Sequence, residues 1–247
     1  MTKYIRTYLV DITRFRLQIL RKYPLSSFGL NGLDFNWNHP FLYRVFNQGS
    51  FKLGGRFFGS FHLELPKTLR PYILINDEST IEADYMALHI RMLYHLEGIH
   101  YDTDPYEDVA QGRDERAIYK LVLLIAINAE TEKDAIQAIR KRLHSAGIYE
   151  GLKDQDIKSR LERFKSVHPR IAHYLNTGIG RRLQNLDSRI TDIILKELTR
   201  KGIPCLPVHD SYIVPRQHID YLLQVMDSAY QDIMKGFRPE VDVKVAA

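Results

Sequence analysis

The sequence predicts an α+β fold, in which helices cover one face of a single antiparallel sheet. Short β-rich runs are few and scattered along the chain, and most of the segments between them show the helical spacing of apolar residues. Five such strands can form one antiparallel sheet with helices on its other face. The strands are predicted at 72–75, 80–84, 205–208, 211–214 and 241–245.

The first 50 residues are predicted to form a separate segment, helical at first and then irregular. Residues 3–23 show the spacing of an amphipathic helix with a basic opposite face. That basic face either meets solvent or contacts a nucleic-acid backbone. Residues 24–50 are aromatic and rich in Asn and Gly, which favours irregular structure, and the glycines at 54, 55 and 59 permit tight turns around Arg56.

A hairpin and a helix are predicted next. The strand at 72–75 turns at Asn76-Asp77 into the strand at 80–84, and a helix over 85–96 follows directly. Asp84 therefore lies where a strand gives way to a helix. Further helices are predicted at 113–128, from a Thr131 cap to a Gly147 stop, at 154–165, 169–176, 186–200 and 218–235.

Composition restricts the class of protein. The 247 residues are 45% hydrophobic and 26% charged, with a formal net charge of +5, as in an ordinary, slightly basic globular protein. The single cysteine, Cys205, excludes an internal disulfide and a multi-cysteine zinc site, and its apolar strand predicts a buried thiol. No apolar run approaches the ~18 residues of a membrane span. We therefore expect no membrane partner and a cytoplasmic location.

Two aspartates and two cations suggest phosphoryl transfer. Asp84 ends an apolar-alternating run, and Asp210 lies at a polar His-Asp-Ser tip between two short β-rich runs. Arg116 and Lys120, four residues apart, share one helical face. Two carboxylates can hold metal ions while two cations grip nucleotide phosphates. The alternatives are a helix N-cap for Asp84, a turn residue for Asp210 and a solvated helix face for the cations.

Three motifs resemble those of family A (polymerase I-like) DNA polymerases. The run from Asp84 to Arg91, Asp-Tyr-Met-Ala-Leu-His-Ile-Arg, resembles motif A, Asp-Tyr-Ser-Gln-Ile-Glu-Leu-Arg. Arg116-x-x-x-Lys120 resembles the start of motif B, and His209-Asp210-Ser211 resembles motif C, His-Asp-Glu. Weaker similarities at Gly55-Arg56, at 163–169, at Gln184 ahead of 190–194 and at the last strand extend the resemblance over about 54–245.

The resemblance implies a minimal polymerase. Residues 51–247 would be a palm with a reduced helical fingers subdomain inserted at about 100–150, and residues 1–50 a thumb remnant or a contact for a replication protein. The exonuclease domain and most of the thumb would be lacking. The partners would be a DNA primer-template and nucleoside triphosphates.

The resemblance also implies roles for individual residues. Asp84 and Asp210 would be catalytic and would bind two Mg²⁺ ions together with the carbonyl of Tyr85. Arg116 and Lys120 would bind the β- and γ-phosphates. The remaining site residues would contact the nucleotide (Leu124, Asn128 and His89) or the nucleic acid (Arg56, Gln184 and His209).

Departures from the family pattern keep other functions open. His89 replaces the motif A Glu, Leu124 replaces the motif B aromatic residue, and Asn128-Ala129 replaces its Tyr-Gly. Ser211 stands where motif C has Glu, as in single-subunit phage-type RNA polymerases. A DNA polymerase is the first hypothesis. The others are an RNA polymerase or primase, a palm that binds nucleic acid without turnover in a replication assembly, and a metal-dependent nuclease.

Overall fold

A computed structural model describes residues 4–8, 17–19, 42–145 and 153–244, the first two ranges as backbone only. The chain divides into two compact units. The first consists of Met1–Met86 and Gln184–Ala247, and the second of Ala87–Leu183.

The described strands and helices are as follows. The strands are β1 Tyr4–Tyr8, β2 Leu17–Ile19, β3 Leu42–Asn47, β4 Ser50–Phe58, β5 Ile73–Ile75, β6 Glu78–Tyr85, β7 Leu206–Val208, β8 Ser211–Pro215 and β9 Val241–Lys244. The helices are α1 Leu88–Leu96, α2 Arg113–Asn128, α3 Glu132–Ser145, α4 Asp154–Val167, α5 Gly180–Arg200 and α6 Ile219–Ile233.

The main sheet confirms the predicted α+β class. Six antiparallel strands run in the order β2-β5-β6-β8-β7, with β9 paired to β6 beside β5. All five predicted strands belong to this sheet. Asn76 and Asp77 form the turn between β5 and β6 with φ of 54° and 65°, which matches the left-handed geometry of a tight hairpin. The predicted end of the last strand, Val245, lies outside the described residues.

The two faces of the sheet differ in chemistry because successive side chains of β6 point to opposite sides. Ala83 and Tyr85 face α5 and α6, where the Tyr85 hydroxyl donates to the Met226 carbonyl at 2.7 Å. Glu82 and Asp84 face the other way. An apolar cluster covers part of that second face: Leu65, Leu69, Ile73, Ile75, Leu206, Val208 and Ile213. Helices therefore cover one face, and the acids lie on the opposite one.

A second, three-stranded sheet corrects the prediction of irregular structure up to residue 50. Its strands run in the order β1-β3-β4, all antiparallel. The Gly and Asn content suggested a loop, but Gly54 and Gly55 lie within β4 at φ of 69° and 95°, where its register with β3 shifts. A Cβ on Gly55 would lie 2.7 Å from the Phe46 ring and 2.9 Å from the Ser188 hydroxyl. This strand needs glycine for close packing as well as for its backbone angle.

The predicted helix over 3–23 is wrong wherever those residues are described. Residues 4–8 form β1, paired with β3, and residues 17–19 form β2, paired with β5. Pairing with distant strands has overridden the helical spacing. The rest of that predicted helix, the predicted irregular segment over 24–41 and the Gly147 helix stop lie outside the described residues.

The helical predictions hold in most places. Helix α2 has the predicted bounds, and Thr131 caps α3, because its hydroxyl accepts the Asp134 amide at 3.1 Å. The predicted helix at 169–176 is only a 3₁₀ turn, Ala172–Tyr174, and α5 begins at Gly180 rather than 186. Helix α1 begins at Leu88 rather than 85, since sheet-side hydrogen bonds engage the preceding backbone.

The second unit is helical and has a polar network in its core. His168 accepts a hydrogen bond from the Tyr94 hydroxyl at 2.7 Å and donates to the Pro105 carbonyl at 3.1 Å. The Arg91 guanidinium donates to the carbonyls of Tyr101 and Thr103. Arg91 is thus an internal structural residue. Among the described helices, none is long and apolar enough to span a membrane.

Candidate active site

The main sheet brings Asp84 and Asp210 side by side. Asp84 lies near the end of β6, opposite Ser211, the first residue of β8. Asp210 belongs to the two-residue turn between β7 and β8, and its carbonyl accepts the Tyr85 amide at 3.1 Å. Strand register and this backbone hydrogen bond therefore fix the two carboxyl-bearing residues next to each other.

The electrostatics of Asp84 reflect this proximity. Burial raises its pKa, the charge of Asp210 raises it further, and the Lys244 ammonium acts in the opposite direction. The Asp84 side chain is still 29% exposed. Its alternative role as a helix N-cap is wrong, because the residue at the N-cap of α1 is Ala87, with φ of 49°.

Two residues that the sequence analysis missed complete the acidic face. The Lys244 ammonium on β9 forms an ion pair with the Asp84 carboxylate and lies 3.4 Å from Glu82 Oε1. Glu82 is buried and accepts a hydrogen bond from the Ser211 hydroxyl at 2.7 Å. The alternation of β9 placed Lys244 on the polar face of a strand, but only the β6–β9 register shows which acids it meets.

His209 precedes Asp210 in the same turn. Its φ of 58° is left-handed, and its ring lies 6.5 Å from that of Phe58 between centroids, with the two rings edge to face. Loss of solvent around the imidazole lowers the pKa of His209 to about 4, and the charges of Arg56 and Arg70 add to this effect, although the side chain still reaches the surface. His209 is therefore uncharged at neutral pH.

Arg56 lies beside a buried acid. Its Nε is 3.3 Å from Asp187 Oδ2, and Asp187 on α5 is only 1% exposed. Burial raises the pKa of Asp187 to about 7; Arg56 opposes the shift, and the charge of Asp210 adds to it. Gln184 is half-buried on the same helix. The predicted contacts of Arg56 and Gln184 with a template-primer duplex remain predictions.

The chemistry of the donor set suits Mg²⁺. Asp84, Asp210 and a backbone carbonyl are hard oxygen donors, and Mg²⁺ binds through one or two carboxylates together with water and substrate phosphates. In the described part of the chain, no group of three or more His, Cys, Asp and Glu side chains is arranged to hold a metal ion. The Lys244 ammonium already forms an ion pair with Asp84, so a positively charged group can reach this carboxylate.

The predicted nucleotide-binding residues lie in the second unit. Arg116 is paired with Asp104, with 3.1 Å from Nε to Oδ2, while Lys120 is exposed. Leu124 is 51% exposed, so it is a surface residue rather than part of the core. The side-chain amide of Asn128 donates a hydrogen bond to the Leu124 carbonyl at 2.7 Å. His89 is buried on α1, with 9% exposure.

Comparisons with known proteins show likeness only to solved structures. No protein-family model matches the chain, and no curated protein matches it. Among solved structures, the chain is similar to the POL domain of Pol1 from M. smegmatis in complex with DNA primer-template and dNTP, at 13% identity and a TM-score of 0.43. The match covers 78% of this chain and 45% of that one. At this level of similarity, only the residues of the site can support a function for this chain.

Proposed function

We propose that the chain is a template-directed nucleotidyltransferase, a DNA polymerase, which extends the 3′ end of a primer with nucleoside triphosphates. The observation that carries this proposal is the pair formed by Asp84 and Asp210, where strand β6 ends and strand β8 begins. Two carboxylates held together in this way form a strong site for a divalent cation, because both negative charges attract it. Phosphoryl transfer by two metal ions needs such a pair.

The residues of the sheet would have distinct roles. Asp84, Asp210 and the carbonyl of Tyr85 would hold two Mg²⁺ ions, which when bound activate the primer hydroxyl and neutralise the leaving pyrophosphate. His209 would contact the primer end as a neutral hydrogen-bonding group, since its pKa of about 4 leaves it uncharged. Arg56 would bind template-primer phosphate or minor-groove acceptors.

The residues of helix α2 would bind the nucleotide. Lys120 offers an exposed ammonium, and Arg116 offers a guanidinium whose orientation the Asp104 pair fixes. Since Asp104 already neutralises part of the Arg116 charge, Lys120 would contribute more of the attraction for the triphosphate. The exposed Leu124 side chain suits the apolar face of a base, with Asn128 and His89 nearer the sugar.

A second candidate is a palm that binds primer-template without turnover. The ion pair between Lys244 and Asp84 favours it, because the ammonium neutralises one of the two carboxylates on which catalysis would depend. Ser211, which stands where motif C has Glu, leaves the RNA polymerase or primase alternative open as well.

Primer extension with dNTPs or rNTPs and Mg²⁺ tests these proposals. We expect Asp84→Asn and Asp210→Asn each to lower incorporation at least ~10³-fold, which corresponds to about 4 kcal/mol of transition-state stabilisation. Asp220→Asn, an exposed acid in the first turn of α6, is the matched control and should keep the wild-type rate.

The outcomes separate the candidates. Full activity of both site variants would refute the catalytic assignment. Duplex binding without incorporation by the wild-type protein would favour the binding-only palm, and preferential use of rNTPs would favour the RNA polymerase or primase.

A further inference from the structure

Lys244 lies between two acids of the sheet. In the β6–β9 register it stands directly opposite Glu82, and Asp84 is two residues further along β6 on the same face. Its ammonium donates a hydrogen bond to Asp84 Oδ2 and lies 3.4 Å from Glu82 Oε1. One lysine therefore reaches both carboxylates from a fixed backbone position.

Neighbouring side chains hold the Glu82 carboxylate in place, where it accepts hydrogen bonds. It is 9% exposed, its Oε1 accepts the Ser211 hydroxyl at 2.7 Å, and Arg70 Nη1 lies 4.0 Å from the same oxygen. By contrast, the Asp84 side chain is 29% exposed. The lysine is thus shared between a buried, anchored acid and a more accessible one.

We propose that Lys244 is a tethered counter-ion, which occupies Asp84 when no divalent cation is present and shifts onto Glu82 when one binds. This inference rests on the proposed function in taking Asp84 as a metal ligand. Both acceptors lie within reach of the same ammonium, so the shift needs only a change of side-chain rotamer. Glu82 keeps the displaced ammonium paired, which lowers the cost of releasing Asp84.

Replacing Lys244 and replacing Glu82 should have opposite effects on the affinity for a divalent cation. Removing the ammonium frees Asp84 and should tighten divalent cation binding. Removing the charge of Glu82 deprives Lys244 of its second acceptor, so the lysine stays on Asp84 and binding should weaken. Glu82→Gln keeps the size of the side chain and an oxygen for Ser211.

Titration with Mn²⁺ alone, followed by electron paramagnetic resonance and without nucleic acid or nucleotide, provides the test. We expect Lys244→Met to tighten Mn²⁺ binding about three- to tenfold and Glu82→Gln to weaken it by a similar factor. Lys196→Met is the matched control, since it removes one ammonium from an ion pair with Asp192 on α5. It should leave Mn²⁺ affinity unchanged, and Lys244→Arg should stay close to the wild type.

A double variant separates competition by Lys244 from the simple effect of charge. If Glu82 acts through the lysine, Glu82→Gln should have little effect once Lys244 is Met. An equal loss of affinity in both backgrounds would overturn the proposal. Circular dichroism and thermal melting of each variant would show that the compared proteins are folded.

The remaining outcomes distinguish this inference from the proposed function. Mn²⁺ binding that Asp84→Asn abolishes and Lys244→Met does not alter would overturn the competition and leave the metal site intact. Absence of Mn²⁺ binding in the wild type and in Lys244→Met would overturn both. Binding by Lys244→Met with a weaker wild type supports the competition, whether or not primer extension is observed.

Discussion

The acidic face of the sheet and the basic face of α2 are built in different ways. Asp84 and Asp210 are far apart in the sequence, and strand register with a backbone hydrogen bond places them together. Arg116 and Lys120 are one helical turn apart, and helix geometry alone sets their spacing. Register fixes neighbours across a sheet, whereas helical spacing fixes only a shared face.

The two regions also differ in the ion pairs that their charged side chains form. The paired acids repel each other, and the Lys244 ammonium forms an ion pair with one of them, Asp84. On α2, Arg116 forms an ion pair with Asp104, whereas Lys120 is exposed on the surface. A chemically identical role for the two α2 cations would therefore be unexpected.

The largest effect should come from the pH dependence of Asp187. Its pKa of about 7 in the folded state lies above the ordinary 3.8, so the folded protein favours the protonated acid. This contribution to stability is complete below pH 3.8 and is lost as the pH rises through 7. Relative to Asp187→Asn, the wild type should lose up to about 4 kcal/mol of unfolding free energy between pH 4 and pH 8. Urea unfolding of both proteins at several pH values measures it, and a constant difference would contradict the burial of this acid.

A core substitution under the acidic face should have the next largest effect. Ile213 is 1% exposed and lies opposite Glu82 on β8, so Ile213→Ala should lower the unfolding free energy by about 3 kcal/mol. Leu124→Ala, on the exposed helix face, should change it by less than about 0.5 kcal/mol. Chemical denaturation of the two variants checks the contrast, and similar losses would place Leu124 in the core after all.

Loss of the ion pair between Arg116 and Asp104 should lower the unfolding free energy by less than the core substitution does. Burial alone would raise the pKa of Asp104, but hydrogen bonds from Arg116 and from the Tyr106 amide lower it overall. Arg116→Met should therefore destabilise the fold by about 1–2 kcal/mol at pH 7, with partial screening because the guanidinium is 30% exposed. The penalty should be complete above the ordinary pKa of an aspartate and should shrink as the pH falls below it, through the lowered pKa of folded Asp104, because the protonated acid no longer pairs with Arg116. Thermal melts at pH 7 and at a series of pH values below about 4 test this sign.

The smallest effect concerns Lys120 and depends on the proposed function. Lys120→Met should leave stability unchanged and raise the KM for the nucleotide about fivefold, which corresponds to ~1 kcal/mol of binding. Arg116→Met should raise KM less, because Asp104 already holds part of its charge. Steady-state primer extension measures both values. A larger rise in KM for Arg116→Met would show that the guanidinium leaves Asp104 for the phosphates.

The sequence predicted most of the main sheet and helices because their signals are local. Alternation marked β6 and β8, helical spacing marked α2, and Asn76-Asp77 marked a tight turn. The three-stranded sheet was missed because β1 and β4 are strands only through pairing with β3, and glycines weaken the local signal in β4.

In the candidate site, too, the residues with a local sequence signal could be predicted and those that depend on distant contacts could not. The two aspartates could be found because each stands at the end of an alternating run, which is visible in the sequence. Glu82, Asp187 and Lys244 could not be found, since their importance comes from cross-strand register and burial. No spacing along the chain links Lys244 to Asp84, which precedes it by 160 residues.

The backbone hydrogen bond from Tyr85 to Asp210 separates the shape of the turn from its chemistry. The anchoring atom is a main-chain carbonyl, which any replacement of the side chain retains. Asp210→Asn should consequently preserve the backbone around it. Under the proposed function, this variant would bind a nucleic acid without extending it and could be used to isolate that nucleic acid from cell extracts.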